Sequence, residues 1–140
     1  MRKNNKIVIL LFGFTREEAS KALAFYFETN GNSNNIIAAP VTEEMEEWET
    51  GKAVKRISEG KWPGGKVNTG TEKCVIIGNA DQDTVVKIMR AFKASLLSGS
   101  GNQDAAFAMI TETAENWTLR KYAEHIREEH EYVKKTVSGR

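Results

Sequence analysis

Short apolar runs alternate with longer stretches of helical periodicity along this chain of 140 residues. The first run, Ile7 to Phe12, is continuous and rich in β-branched side chains, which is typical of a strand covered on both faces. Similar runs recur at 36–39, where Pro40 stops the strand, and at 74–77 and 105–110. The pattern therefore predicts four strands, each followed by a helix.

The first predicted helix has a defined start. Thr15 is followed three residues later by Glu18, a capping box whose two side chains satisfy free N–H groups at a helix N-terminus, so a helix begins at Arg16. It runs to about Thr29 and ends in the Asn- and Gly-rich segment 30–34, which tolerates left-handed backbone. Its predicted buried residues are Ala19, Leu23, Tyr26 and Phe27.

Three more helices follow the other strands. The second is predicted to start within the acidic stretch 42–49, the third is capped by Asp81 and followed by the loop 98–102, and the fourth opens at Trp117. Apolar residues of the third recur at i, i+3, i+4, i+7 and i+11, which places them on one helix face. The predicted core positions are Ala53, Val54 and Ile57, then Val85, Ile88, Met89, Phe92 and Leu96, then Leu119, Tyr122, Ala123, Ile126 and Val133.

Two parts of the chain resemble each other. Residues 41–59 and 110–128 align without gaps and share seven identical residues in nineteen positions. Biased Glu and Lys usage does not explain the matching Thr and Trp residues, so the chain is interpreted as two tandem repeats. The identical pairs are Thr42/Thr111, Glu43/Glu112, Glu46/Glu115, Trp48/Trp117, Lys52/Lys121, Ile57/Ile126 and Glu59/Glu128.

The order of elements predicts an α/β fold. We expect a single domain, 1–140, made by tandem duplication of a β-α-β-α unit, with repeats 6–59 and 73–133 joined by the Gly-rich linker 60–72. Strands that alternate with helices favour right-handed crossovers and a four-stranded, mainly parallel sheet with helices on its faces. The expected strand order is 2-1-3-4, and reversal of one edge is the rival.

Composition indicates no particular partner. Charged residues make up 28% and the net charge is +1, so no overall field attracts nucleic acid or an anionic membrane. Cys74 has no second cysteine to pair with, which suits a reducing cytoplasm. Met1–Lys6 and the following run have the order of a signal peptide, but the apolar run is short and lacks a cleavage site. We expect a soluble, cytoplasmic protein without a membrane partner.

The segment GKWPGGKV, residues 60–67, is close to the phosphate-binding motif G-x-x-x-x-G-K-[ST] but has Val67 in place of the hydroxyl residue. Such a loop works between a buried strand and a helix N-terminus. Here it follows a predicted helix and precedes more turn residues, 68–71, so we interpret it as the joint between the repeats. Trp62 is unusual in a linker, because an indole contributes little unless it packs on the body or on a partner.

Other candidate chemistry is weak. His125 and His130 lie five apart, about 140° around a helix, so they do not form a metal-binding pair, whereas His125 and Glu129 have the right spacing but lack a third ligand. The acidic residues of 43–49 are interpreted as the first turns of a helix. Trp48 and Trp117 are interpreted as core residues. We expect no catalytic residues, no metal and no cofactor.

A small-molecule site in a parallel sheet lies beyond the carboxyl ends of the strands. The polar and glycine residues predicted there are Gly13, Thr15, Thr42, Gly78, Asn79 and Thr111. They include no pair of a nucleophile and a base, and their polar groups are those that helix capping requires. This weakens an enzymatic interpretation without removing a binding one.

The second half also resembles a known family. The run 106–119, AFAMITETAENWTL, and the segment HIREEH at 125–130 resemble an uncharacterised domain-of-unknown-function family of small bacterial and archaeal proteins, with a strand ending in Thr, an Asn-Trp-Thr-Leu segment and a helix ending in Glu-x-His. The resemblance covers 73–133 well and the first half loosely; 11–18 is similar to the family's openings and 78–81 departs from them. It implies the fold and no activity.

Two functional hypotheses follow. The first is a non-enzymatic module that binds a protein partner or a second copy through a helix face or a sheet edge, with Trp62 as the candidate contact. The alternative is a small-ligand or anion binder, or an enzyme, that uses the residues at the strand ends. Nucleic-acid binding is disfavoured, because the basic residues of 52–66 adjoin the acidic stretch 43–49.

Overall fold

The computed structural model describes residues 6–31, 35–67, 73–98 and 105–138, with side chains up to Ser95 in the third segment and up to Glu131 in the fourth. Several predicted features lie outside these residues. They are residues 32–34 of the segment after the first helix, the turn residues 68–71, the loop 99–102 and the core side chains of Leu96 and Val133.

Four strands and four helices alternate as predicted. Within each half, one turn of 3₁₀ helix, Met45–Glu47 or Thr113–Asn116, lies before the second helix. The elements are β1 (Ile7–Phe12), α1 (Arg16–Asn30), β2 (Ile36–Pro40), α2 (Thr50–Ser58), β3 (Lys73–Gly78), α3 (Gln82–Ser98), β4 (Ala105–Met109) and α4 (Leu119–Ser138).

The sheet has the predicted order β2-β1-β3-β4 but is mixed. β1 pairs with β2 in parallel, β3 pairs with β4 in parallel, and the central pair β1 and β3 is antiparallel. The prediction of a mainly parallel sheet did not anticipate the central pair. The central pair can be antiparallel because a right-handed β-α-β crossover fixes strand direction only within each half, whereas a longer connection joins the halves.

Helices cover both faces of the sheet, as predicted. α1 and α3 pack on one face together with Ile9, Leu11, Val75 and Ile77. α2 and α4 pack on the other face, against the alternate side chains of the same strands. Because successive side chains of a strand point to opposite faces, each central strand supplies both cores, and this explains its continuous apolar sequence.

Contacts between the two halves come in equivalent pairs. The Thr50 N–H donates to the Trp117 carbonyl at 2.8 Å, and the Leu119 N–H donates to the Trp48 carbonyl at 2.9 Å. In the sheet, Val8 is opposite Gly78 and Phe12 is opposite Cys74. These pairings have the pattern that a two-fold axis gives, in which residues 66 apart in β1 and β3 and residues 69 apart around Trp48 and Trp117 hold equivalent positions.

The acidic stretch 43–49 does not form the start of a helix, contrary to the prediction. The backbone is extended at Trp48 and Glu49, and α2 begins only at Thr50. The main-chain bonds between Trp48, Thr50 and the opposite half hold this segment extended, and they outweigh helix propensity, which is a weak determinant. The same pairing delays α4 from Trp117 to Leu119.

The other helix starts follow local sequence. The Thr15 hydroxyl accepts from the Glu18 N–H at 3.0 Å, and the Glu18 carboxylate accepts from the Thr15 N–H at 2.9 Å, which confirms the capping box. The Asp81 carboxylate accepts from the Thr84 N–H at 2.8 Å. Hydrogen bonds from Thr84 lower the pKa of Asp81.

Candidate functional site

The six strand-end residues predicted to form one site lie at two opposite ends of the sheet. The antiparallel pairing of β1 with β3 places the carboxyl ends of β1 and β2 at one end and those of β3 and β4 at the other. Gly13, Thr15 and Thr42 therefore lie at the first end. The other end holds Gly78, Asn79 and Thr111.

At the first end, the residues are occupied by internal contacts. Lys73 donates from Nζ to the Gly13 carbonyl at 2.7 Å and to the Glu18 carboxylate at 3.3 Å. Thr15 caps α1. Thr42 is fully buried under the linker, and its Oγ1 is a buried hydroxyl without a hydrogen-bond partner in the described part of the chain.

At the second end, a cleft of about 230 Å³ opens beside Gly78 and Asn79. Asn79 has a positive φ of 63°, and its side chain donates to the Lys6 carbonyl at 3.0 Å. Thr111 is exposed, its Oγ1 accepts from the Ala114 N–H at 3.3 Å, and it does not line the cleft. The remaining residues around the cleft are Gly51, Val54, Lys55, Ser58, Ile110 and Glu115.

The linker segment 60–67 folds back on the sheet and does not form a phosphate loop. The Lys66 carbonyl accepts from the Glu43 N–H at 2.9 Å, and Thr42 and Val67 form an antiparallel bridge. Gly64 and Gly65 have positive φ values of 74° and 101°, which glycine adopts without strain. These contacts hold the segment beside β2, where it follows α2 and does not lead from a strand into a helix.

Trp62 packs on the body of the protein. Its side chain is half-buried against the α2/α4 core, and its Nε1–H donates to the Pro40 carbonyl at 2.9 Å. The guanidinium of Arg16 lies over the indole, 5.3 Å from the ring centroid. Trp62 thus joins the linker, the end of β2 and the first turn of α1.

Trp62 closes one end of a groove of about 250 Å³ that runs between β2 and α1, which we call the β2 groove. One wall is the face of α1 that carries Arg16, and the floor is the edge strand. The complete lining is Arg16, Ala19, Ser20, Leu23, Ile37, Ala38, Ala39, Pro40 and Trp62.

The main chain of β2 presents hydrogen-bonding groups to this groove. The bonds from Ile7 N–H to the Asn35 carbonyl and from Val41 N–H to the Leu11 carbonyl show that odd-numbered residues of β2 face β1. In a parallel ladder the alternate residues, Ile36 and Ala38, direct their N–H and carbonyl groups away from the sheet. Pro40 lacks an N–H, and Trp62 occupies its carbonyl.

The β2 groove has one charged side chain, Arg16, which has no ion pair with any described carboxylate. Its contact with the indole leaves the guanidinium donors available, because a cation over an aromatic face is held by the ring quadrupole and not by hydrogen bonds. The groove is therefore apolar along its length and cationic near Trp62.

The described residues contain no group of three or more His, Cys, Asp and Glu side chains arranged to hold a metal ion. His125 lies 3.2 Å from the Glu129 carboxylate and packs edge-on against Trp117. Burial raises the pKa of Tyr122, whose hydroxyl donates to the Met109 carbonyl at 2.6 Å. Cys74 is buried inside the sheet.

In the part of the chain that the structure covers, no helix is both long enough and apolar enough to cross a bilayer.

A known family matches the second half of the chain. The model of a domain of unknown function, DUF3783, matches residues 73–133, so the resemblance to an uncharacterised family is confirmed over this stretch. The match begins at the first residue of β3 and ends within α4. No curated protein matches the chain. No solved structure matches it either.

Sequence reasoning identified Trp62 but missed the helical wall of the β2 groove. Arg16, Ser20 and Leu23 recur at helical spacing, but this spacing alone does not show that an edge strand lies opposite them. Likewise, Lys55 and Glu115 lie sixty residues apart and meet only because the halves pair through Trp48 and Trp117. A comparison of all positions of 41–59 with 110–128, and not only of the identical ones, would have singled out Gly51, which aligns with Arg120.

Proposed function

We propose that this protein is a non-enzymatic interaction module that binds an extended polypeptide segment in the β2 groove. The observation that carries the proposal is the free main chain of Ala38 between a helical wall and the Trp62 cap. Proteins that recognise peptides by strand addition take affinity from such an edge and specificity from neighbouring pockets. The proposed site lies between β2 and α1 and is separate from the cleft beside Gly78 and Asn79.

The charge of Arg16 favours bound segments that carry a negative charge. Arg16 is the charged residue of the lining and has no ion pair with a described carboxylate, so the bound segment is expected to carry an Asp, a Glu or a terminal carboxylate beside it. The remaining wall residues Ala19 and Leu23 favour small or apolar side chains on the same face of the segment. The Pro40 end is closed by Trp62, which limits the added strand to a few residues.

The test is selection from a displayed library of random peptides, followed by calorimetry with a synthetic winner. We expect enrichment of acidic residues at one position, and Arg16→Gln is expected to weaken binding about tenfold, because hydrogen bonds to charged groups contribute about 1.5–3 kcal/mol. Lys21→Gln, on the exposed side of α1 outside the groove, is the matched control.

A second variant tests the groove independently of charge. Ser20→Trp fills the space between α1 and β2 and is expected to abolish binding while the circular dichroism spectrum stays unchanged. Peptides that bind this variant and the wild type equally well would show that they bind elsewhere and would overturn the proposal.

A second candidate function is self-association at the opposite edge of the sheet. The exposed large apolar side chains among the described residues are Val86 on α3, 38% exposed, and Met109 on β4, 39% exposed. They are the equivalents of Ser20 and Pro40, which line the β2 groove. Pro40 and Trp62 protect the carboxyl end of β2, whereas β4 carries Met109 in the place of Pro40, and uncovered strand edges of this kind promote pairing.

Sedimentation velocity over a range of concentrations tests self-association. We expect a dimer in which two β4 strands extend the sheet, and we expect Met109→Lys to shift the population to monomer. Ser20→Lys, which adds the same charge beside β2, serves as the control for added charge. A wild-type chain that stays monomeric at every concentration would exclude this second function.

We further infer that the two halves arose by tandem duplication within one domain. Three findings support this: the identical residues of 41–59 and 110–128, the equivalent hydrogen bonds at Trp48 and Trp117, and a family match that coincides with the second half. A structure of a protein that consists of one unit, with the same pairing between two copies, is the decisive comparison.

A further inference from the structure

The cleft beside Gly78 exists because the two-fold equivalence of the halves is broken there. At the opposite end of the sheet, the equivalent positions carry three large side chains: Phe12, Arg120 and Arg127. Their counterparts at the cleft are the small residues Gly78, Gly51 and Ser58. We call this space the Gly51 cleft.

The filled end shows what the surrounding groups accept. The Arg120 guanidinium pairs with Glu46, at 3.3 Å from Nε to Oε1, and with Glu47. The guanidinium of Arg127 lies over the Phe12 ring, 5.3 Å from the centroid. A cationic planar group next to a glutamate is thus the native content of this position.

At the Gly51 cleft one of the two glutamates is retained, Asn116 stands in place of the other, and the cation is missing. Glu115 is the equivalent of Glu46, and it has no ion pair with a described cation. A Cβ added at Gly51 would lie 3.4 Å from the Glu115 Cβ, so the carboxylate-bearing side chain directly adjoins the empty position. The missing guanidinium leaves an anionic site open to a ligand.

The cleft also offers a cationic contact. Lys55 lines it and has no ion pair with a described carboxylate. Its volume of about 230 Å³ is below the ~300–1,000 Å³ of pockets that hold drug-sized molecules, which indicates a smaller occupant. Glu115 and Lys55 together provide one anionic and one cationic group for a small ligand.

We propose that the Gly51 cleft binds a small molecule with a guanidinium at one end and a carboxylate at the other, of which free L-arginine is the representative. The guanidinium donates to Glu115 in the place that Arg120 takes at the other end, and the carboxylate accepts from Lys55. The ligand binds without reaction, and the site is separate from the β2 groove.

The first experiment is an NMR titration of the intact chain with L-arginine. We expect saturable shifts of the amide signals of Gly51, Gly78 and Asn79. Citrulline, in which a neutral ureido group replaces the guanidinium, is expected to bind at least about tenfold more weakly, because a hydrogen bond to a charged group exceeds a neutral one by more than 1.4 kcal/mol in favourable cases. Equal binding of citrulline, or shifts remote from the cleft, would overturn the proposal.

Variants assign the two ends of the ligand. Glu115→Gln is expected to reduce arginine affinity about tenfold, whereas Glu112→Gln, a neighbouring carboxylate outside the cleft, leaves the affinity unchanged. Lys55→Gln weakens arginine but not agmatine, which lacks the carboxylate. Loss of agmatine binding in this variant would contradict the assigned orientation.

Gly51→Arg tests the equivalence itself. This change places in the cleft the side chain that Arg120 supplies at the opposite end, so it is expected to abolish arginine binding while leaving peptide binding in the β2 groove intact. Retained arginine binding in a folded Gly51→Arg variant would show that the ligand binds elsewhere. Because the two sites are read separately, a failed arginine titration leaves the proposed peptide-binding function standing.

Discussion

At the level of single residues, Trp62 converts a Gly-rich linker into part of the sheet edge. Its indole N–H donates to the Pro40 carbonyl, and its ring face holds the Arg16 guanidinium. An isolated linker gains nothing from an indole, whereas here the side chain covers an edge strand that has a proline at its end. The residue that looked unusual in the sequence therefore has a packing role, and its place at the end of the β2 groove makes it a candidate contact for a partner.

Trp62→Phe separates the hydrogen bond from the ring. We expect the variant to lose about 1 kcal/mol of unfolding free energy, because the Pro40 carbonyl loses its donor while the aromatic contact with Arg16 remains. Urea denaturation measures the change. Trp48→Phe is the control, since the Trp48 indole N–H has no hydrogen-bond partner in the described part of the chain; an equal loss in both variants would assign the effect to packing alone.

Gly78 and Gly51 predict opposite responses to the same substitution. A Cβ at Gly78 would lie 3.0 Å from both Ile110 Cδ1 and Val54 Cγ2, so Gly78→Ala overpacks the core and is expected to cost about 1–3 kcal/mol. A Cβ at Gly51 meets Glu115 at 3.4 Å, an ordinary contact, and alanine favours helix by about 0.5–1 kcal/mol. Denaturation midpoints that fall equally in both variants would contradict this difference.

At the level of elements, local sequence sets the helix starts except where the two halves meet. The first helix begins at its capping box and the third behind the Asp81 cap, as predicted. The second and fourth begin two or more residues later than their sequence indicates, because the extended backbone at Trp48 and Trp117 bonds to the opposite half. Hydrogen bonds between distant segments thus override propensity at two of the four helix starts.

The Asp81 cap predicts a pH dependence of stability. Hydrogen bonds from Thr84 lower the pKa of Asp81 in the folded chain, so the stabilisation is fully present above its ordinary value of 3.8 and is lost as the pH falls through the lower folded value. Asp81→Ala is therefore expected to lower the thermal midpoint at pH 7, with a difference that shrinks in strong acid. Asp83→Ala, the next acidic residue, is the control; a difference that persists unchanged below the folded pKa would contradict the cap.

At the level of the whole molecule, the antiparallel centre of the sheet decides which sites exist. It separates the strand ends, so Gly13, Thr15 and Thr42 never meet Gly78, Asn79 and Thr111. The two edges of the sheet differ because the linker covers the carboxyl end of β2, whereas β4 carries the exposed Met109. Both interaction proposals depend on this asymmetry.

The equivalence of the halves predicts the behaviour of a single unit. Residues 73–140 expressed alone would leave the inner edge of β3 unpaired, so we expect two copies to pair through β3 as β1 and β3 pair in the intact chain. Sedimentation equilibrium measures the mass, and circular dichroism measures the folded content. A folded monomer of this segment would contradict the prediction.

The strands and most helix boundaries could be predicted, because continuous apolar runs, caps and glycines act within a few residues. The observed strand order agrees with the expected 2-1-3-4, but reversal of one edge was the rival, since strand order depends on contacts between distant residues. The two cores also follow from the sequence, since β1 and residues 74–77 of β3 are apolar at every position. The candidate site was only partly predictable. Trp62 was singled out by its unusual setting. The α1 wall of the β2 groove could not be predicted, and neither could the cleft that Lys55 and Glu115 both line, because each brings together residues far apart in the chain.

The sequence by itself determined two β-α-β-α units, because period and capping are local properties. Only the tertiary structure decided how the units face each other, since the long connection between them leaves the direction of the second sheet half free. The direction is fixed by the antiparallel pairing of β1 with β3 and by the main-chain hydrogen bonds at Trp48 and Trp117. This arrangement places β2 and β4 at the two edges of the sheet and brings Gly51 beside Glu115, where the Gly51 cleft opens.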